Sequence, residues 1–185
     1  MKDLITSVLM ILLLTLGLGI GYPLAVWGIS QVAFPELANG SMIISDGRLV
    51  GSELIGQNFT SPGYFHGRPS AAGNGYDAGA SGGSNLGPTS KKLIDRIDAD
   101  TETLAVGNPN TKIPADLVTT SASGLDPHIS PAAAEFQVSR IAKERGMTET
   151  QIRELVKIHT KDRDLGFLGE PRVNVLMLNL ALDKK

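Results

Sequence analysis

From Leu4 to Phe34 the chain carries no charged side chain, and the charges that bound this stretch are Asp3 and Glu36. About 20 apolar residues cross a bilayer hydrocarbon core of roughly 30 Å, and Leu4 to Val32 is longer than that. Inside lipid every backbone N–H and C=O needs an internal partner, so the Leu- and Ile-dense opening third predicts a helix. Pro23 removes one donor and predicts a disturbance toward the far end of that helix. Tyr22, Trp27 and Phe34 fall where an interfacial aromatic belt would lie. The expectation is a membrane anchor over residues 1–35 and a folded domain over residues 36–185.

Two features qualify the anchor. Gly17-Leu18-Gly19-Ile20-Gly21 places Gly17 and Gly21 four apart, a spacing that lets a second helix approach closely, although glycine is common in membrane helices in any case. The competing reading is a secretory signal peptide cut at Gly19-Ile20-Gly21, but its basic amino-terminal region is weak and the apolar run continues past the cut. Lys2 and the α-amine stand against Asp3, and Glu36 begins the far flank, so charge bias slightly favours a cytoplasmic amino terminus and a domain outside the cytoplasm. The chain has no cysteine, which rules out a disulfide framework and leaves the domain to its own core. A domain of this size buries about 68–70% of its unfolded surface, enough for that purpose.

A net charge of −2 argues against a nucleic-acid partner, which would call for a basic patch. Beyond the anchor, Met42-Ile43-Ile44-Ser45 and Arg48-Leu49-Val50 flank Asp46-Gly47, a strong hairpin signal whose apolar face Leu54, Ile55 and Phe59 would continue. Ser61 to Pro88 is rich in Gly, Ser, Asn and Pro, with Tyr64, Phe65 and Tyr76 as pins into the core. Leu93, Ile94, Ile97, Thr101 and Leu104 recur at helical spacing and predict a helix from Ser90 to Leu104, ended by Gly107-Asn108-Pro109-Asn110. Ile113 to Val118 fits a short helix opened by Pro114 or a strand. Ser130 before Pro131 predicts a capped helix to Arg145, closed at Gly146, with Phe136, Ile141 and Ala132-Ala133-Ala134 turned inward. Thr148 and Gln151 form a capping box for a helix from Glu149 to His159 with Ile152, Leu155 and Val156 on one side, making a helical hairpin. Asp162 to Pro171 reads as a loop, and Val173 to Leu182 as a helix capped by Asn174 rather than a buried strand. The fold class expected is α+β, with one β-hairpin and three to four helices.

Gly79-Ala80-Ser81-Gly82-Gly83 matches a nucleophile-elbow pattern, but Gly73 to Ala78 cannot form the buried strand that such an elbow needs. There is no phosphate-binding G-x-x-x-x-G-K-[ST] run, no D-K-T-G phosphorylation motif and no T-V-G-Y-G filter. His66, His128 and His159 are far apart without a paired ligand spacing, so no metal site is expected. The richest run is Ser121 to Pro131. Its hydroxyls, Asp126 and the amides opening the next helix can bind an anion, or can satisfy one another within a tight loop; local physics favours the second.

At this point the residues resemble a known family over nearly the whole chain: the small C subunit of the Kdp-type high-affinity potassium-transporting P-type ATPase. The matching runs are Gly21 to Leu24, Asn39-Gly40-Ser41, Gly51 to Gln57, Tyr64 to Ala71, Ser81 to Pro88, Ser121 to Pro131 and Val173 to Leu176. Met1-Lys2-Asp3 is less basic than such subunits tend to be. The resemblance implies a non-catalytic subunit in the cell (inner) membrane. Its implied partners are a channel-like potassium-translocating subunit, a P-type ATP-hydrolysing subunit and a small stabilising membrane peptide, alongside membrane lipid. The complex would use ATP and Mg²⁺ and transport K⁺, with no cofactor held by this subunit alone. Two roles follow. In one, the chain assembles the complex, docks through Gly17 and Gly21, and sets its domain over the external ion entrance. In the other it is a catalytic chaperone that raises the ATP affinity of the hydrolysing subunit, with Ser81, Gly82, Gly83, Ser84, Asn85, Ser121, Ser123, Asp126 and His128 as a polar cradle.

Overall fold

The computed structural model describes residues 1–109 and 111–184; Asn110, expected to help end a helix, lies outside them. The backbone forms two compact units, Met1–Ser52 and Glu53–Lys185.

In the first unit α1 (Lys2–Leu14), a π-helical turn (Thr15–Gly21) and α2 (Tyr22–Ala33) follow without a break. Together they form one apolar helix, Lys2–Ala33, of 32 residues. At about 1.5 Å per residue it reaches roughly 48 Å, more than a hydrocarbon core requires. None of its residues is buried in the protein. The disturbance expected from Pro23 takes the form of the widened turn just before it: a proline cannot donate to the carbonyl four residues back, and the Tyr22 N–H reaches back to the Gly17 carbonyl. A short α3 (Pro35–Ala38) leads to β1 (Met42–Ser45) and β2 (Arg48–Ser52), paired antiparallel with Ser45 opposite Arg48. Asp46 (φ 51°) and Gly47 (φ 74°) both take the left-handed backbone that a two-residue hairpin turn demands.

The second unit holds the core. Its helices are α4 (Lys91–Gly107), α5 (Pro131–Arg145), α6 (Glu149–His159) and α7 (Val175–Asp183), with short 3₁₀ turns at Ala78–Ala80 and Ala115–Leu117. Three short strands, β3 (His128–Ile129), β4 (Thr160–Lys161) and β5 (Arg172–Asn174), form an antiparallel sheet with β5 in the middle. The architecture is α+β, as expected. Phe65, Ile141, Ile152, Leu178 and Val173 are fully or almost fully buried at its centre. Ser130 caps α5 by accepting from the Ala133 N–H, Pro131 opens it, and Gly146 (φ 63°) closes it. The Thr148–Gln151 capping box starts α6 as the sequence predicts, and α6 packs on α5. Val173 to Leu182 divides: the first two residues pair in β5, and Asn174 caps α7 by accepting from the Met177 N–H.

Three expectations need correction. Ala132 faces solvent while Ala133 and Ala134 are buried, because the helical period puts Ala132 on the same exposed stripe as Glu135 and Ser139. Leu54 and Ile55 are 58% and 41% exposed in the turn after the hairpin, not on a continued apolar face. The helix from Ser90 extends to Gly107 rather than stopping at Leu104.

Candidate functional site

The long Gly- and Ser-rich segment is ordered by side chains that act as strand partners. The buried Asn179 on α7 accepts from the Phe65 N–H (2.8 Å) and donates to the Phe65 carbonyl (3.0 Å). Gln137 on α5 does the same for His66, at 2.8 and 3.1 Å. Each amide thereby satisfies a residue's two backbone groups in a place where no strand runs beside it. Arg140 donates to the carbonyls of Pro62 and Tyr64 and to Gln137 Oε1, and Arg145 donates to the Gly63 carbonyl (2.8 Å). The Arg145 guanidinium also lies 4.5 Å from the Tyr64 ring centre and 2.9 Å from Asp183. Four polar side chains, three on α5 and one on α7, thus fix residues 62–66.

Downstream, that segment interlocks with the run before α5. Ser70 Oγ donates to the Gly124 carbonyl (2.5 Å) and accepts the N–H groups of Ala72 and Tyr76 (3.2 and 2.8 Å). Tyr76 Oη donates to the Arg68 carbonyl (2.6 Å); burial first, and then the Asp126 charge, push that phenol up to about 12. Arg68 reaches Thr119, the Thr120 carbonyl and Asp126 (3.4 Å). Burial raises the Asp126 carboxyl, but the His128 side chain and N–H and the Arg68 charge outweigh it and hold the group below the ordinary carboxylate range. The Gly82 N–H and Ser81 Oγ both donate to the Ser123 carbonyl, at 2.8 and 3.0 Å. Gly124 (φ 68°) sits where three passes of chain cross: a Cβ there would lie 2.7 Å from both the Ala72 N and the Gly82 O.

Most of the polar residues singled out in the sequence are therefore brought together. Ser81, Gly82 and Gly83 face Ser121 to Gly124, and Asp126 and His128 form a second cluster with Arg68. Ser84 lines a cavity of about 480 Å³ with Gly83, Lys92, Arg96 and Thr120. Asn85 is exposed with φ 53° and joins none of these contacts. Arg96 bonds Asp100 at 3.2 Å, while its Nε and one terminal nitrogen have no partner among the described residues. A larger cavity of about 980 Å³ lies between α4, α5 and residues 58–70, with His66, Tyr76, Leu104, Phe136 and Arg140 on its walls. The His66 ring is 3.0 Å from the Ser61 carbonyl, so Nε2 carries the donated proton. Burial lowers its affinity for a second proton, partly offset by that carbonyl, and the Arg140 charge lowers it further.

Arg68, Ser70, Gln137 and Asn179 organise this region and were not among the candidate site residues, although Arg68 and Ser70 fall in the Tyr64 to Ala71 run that carries the resemblance. A signal existed for the last two: each is an uncharged amide at a position the helical period places on the buried face, between Phe136 and Val138 or after Leu178. No group of three or more His, Asp or Glu among the described residues could hold a metal ion. Gly17 and Gly21 lie in the π-helical turn, where a Cβ would meet nothing at Gly17 and only the Leu16 carbonyl, at 3.4 Å, at Gly21.

These features define a class: a chain with one membrane-length apolar helix and an α+β domain whose serine and aspartate loops are largely engaged with each other. Comparison with known proteins places it more closely. The chain belongs to the KdpC family, K+-transporting ATPase, c chain, whose pattern matches residues 4–184. It is 60% identical over 182 residues to the Potassium-transporting ATPase KdpC subunit of Koribacter versatilis (strain Ellin345), covering 98% of this chain and 94% of that one. The subunit of the same name from Rhodopseudomonas palustris (strain BisB18) is 53% identical over 195 residues, covering 99% and 98%. That from Caulobacter vibrioides (strain NA1000 / CB15N) is 57% identical over 174 residues, covering 94% and 88%. Membership makes this chain an accessory subunit of a potassium-transporting ATPase, not the catalytic one, and so part of a complex with other Kdp subunits.

Proposed function

We propose that the chain assembles and stabilises the potassium-uptake complex in the cell (inner) membrane. Its anchor docks beside the channel-like potassium-translocating subunit, near the P-type ATP-hydrolysing subunit and a small stabilising membrane peptide. The amino terminus is cytoplasmic, and the folded domain lies outside over the ion entrance. ATP and Mg²⁺ belong to the hydrolysing subunit and K⁺ to the channel-like one; this chain holds no cofactor alone. The observation that carries this reading is the mutual bonding of the Ser81–Gly83 and Ser121–Asp126 loops, which gives those groups a structural use without a ligand. Helix contact through Gly17 and Gly21 is supported by their spacing of four and by the open space at Gly17; at Gly21 a Cβ would meet the Leu16 carbonyl at 3.4 Å. Replacing both by Ile adds bulk that meets nothing at residue 17 and only the Leu16 carbonyl, 3.4 Å from the Cβ, at residue 21, while holding a neighbouring helix off. The outcome expected is at least a several-fold drop in this chain's co-purification with the channel-like subunit. Unchanged yield would show that the pair is not an interface.

One observation favours the second reading, a catalytic chaperone that raises the ATP affinity of the hydrolysing subunit. Lys92 and Arg96, two of whose nitrogens have no partner among the described residues, border the cavity at Gly83 and Ser84, and they are the groups that would hold a phosphate there. Ser81, Gly82 and Asp126 are already engaged with protein partners, so they would add little to such a cradle. This reading also requires the domain to lie in the cytoplasm, where ATP is.

A further inference from the structure

Residues 162–171 join β4 to β5 and form the tip of a hairpin mounted on the buried centre of the sheet, where Val173 is wholly inaccessible. This tip is tightly built. Asp164 and Leu168 exchange backbone bonds in both directions at 2.9 Å, and the Gly166 N–H donates to the Arg163 carbonyl at 3.1 Å. Two ion pairs brace it, Arg163 with Glu170 at 2.6 Å and Arg172 with Asp164 at 3.0 Å. What this frame presents is apolar: Leu165 is 82% exposed, Phe167 70% and Leu168 48%. Leu165 has φ 55°, a backbone state that glycine or asparagine adopts with less strain. A leucine there gains nothing from the fold, since most of its side chain is in solvent.

An ordered, strained and exposed apolar tip matches what a binding anchor requires: large side chains held in place before contact, with a polar rim. We propose that Leu165, Phe167 and Leu168 insert into an apolar cleft on another subunit of the same ATPase. Charge decides between a protein cleft and a lipid surface. Lys161, Arg163 and Arg172 are matched by Asp162, Asp164 and Glu170, and two of the three basic groups are already paired within the tip. No cationic excess remains to attract anionic lipid. Three side chains are also far short of the roughly 800 Å² per partner of a stable interface. The tip therefore serves a chain already held nearby by other contacts, as a subunit tethered in one membrane is, and not a self-sufficient dimer.

The proposal rests on membership in the complex and extends the assembly reading. The test uses the full complex, purified by a tag on the ATP-hydrolysing subunit, with wild-type chain, with Leu165→Asn and Phe167→Ser, or with the chain omitted. Asparagine suits the left-handed backbone, so the variant keeps the frame, and circular dichroism and the urea midpoint should match wild type. The result expected is about tenfold less of the variant chain retained through detergent washing. Wild-type retention of the folded variant overturns the docking tip. Assembly of the remaining subunits when the chain is omitted instead overturns the assembly reading, and leaves the tip judged by retention alone. Loss of a self-associated species, or of binding to phosphatidylcholine vesicles, with retention in the complex unchanged, would assign the tip to a second copy or to lipid and likewise contradict the proposal.

Discussion

At the scale of single residues, this domain depends on polar side chains that substitute for absent strands. Asn179 is 1% exposed and holds both backbone groups of Phe65. Asn179→Leu would preserve bulk but leave a buried N–H and C=O unpaired, at about 1–3 kcal/mol each when fully unsatisfied. Partial relaxation makes a net loss of about 2–4 kcal/mol the expected outcome, read as a lower urea midpoint for the full chain in detergent. A wild-type midpoint would mean that residues 62–66 are held by Arg140 and Arg145 alone. Acid acts on the same region. Burial lowers the proton affinity of His66 below its ordinary value, so the unfolded chain binds more protons and stability falls as pH drops below about 6.5. Asp126 is likewise depressed, so its contribution is present above the ordinary carboxylate value and is lost as pH falls through the folded one. Two phases of acid destabilisation are expected. His66→Gln, which keeps a donor toward the Ser61 carbonyl, should flatten only the first when the urea midpoint is followed between pH 7 and pH 5. An unaltered profile would place the titration elsewhere, with His159 the next candidate because burial lowers it too.

At the scale of elements, what could be read in advance divides by range. Caps and turns depend on neighbours in sequence: Ser130-Pro131, Thr148 with Gln151, and Asp46-Gly47 each appear in the fold where local chemistry put them. Boundaries that depend on distant packing were less legible. Nothing in the run from Val173 to Leu182 says that its first residues pair between β3 and β4 before a helix begins, because β3 and β4 are two residues each and carry no pattern of their own. The α4 helix kept its apolar period yet buries none of its residues fully; its Leu104 only partly meets the core. In the polar region, Ser81–Gly83 and Ser121–Asp126 stood out because hydroxyl and glycine runs are conspicuous. Arg68 and Ser70 carried part of the resemblance but no legible role, since their roles exist only once residues 119–126 fold against them. The widened turn at Thr15–Gly21 was foreshadowed by Pro23, though its form was not.

For the molecule as a whole, the proposed role gives a 32-residue apolar helix the task of holding position and the domain with the core that of presenting a surface. The charge near the helix ends favours an outside domain only by a small margin, and the two proposed roles divide on sidedness: a domain outside the cytoplasm can serve the ion path but cannot meet cytosolic ATP. The chain has no cysteine, so Glu154→Cys on the exposed side of α6 supplies a single accessible thiol. A membrane-impermeant maleimide should label that thiol in intact cells whose outer barrier has been opened, to the same extent as after lysis. Protection until the inner membrane is broken would put the domain in the cytoplasm and contradict the account.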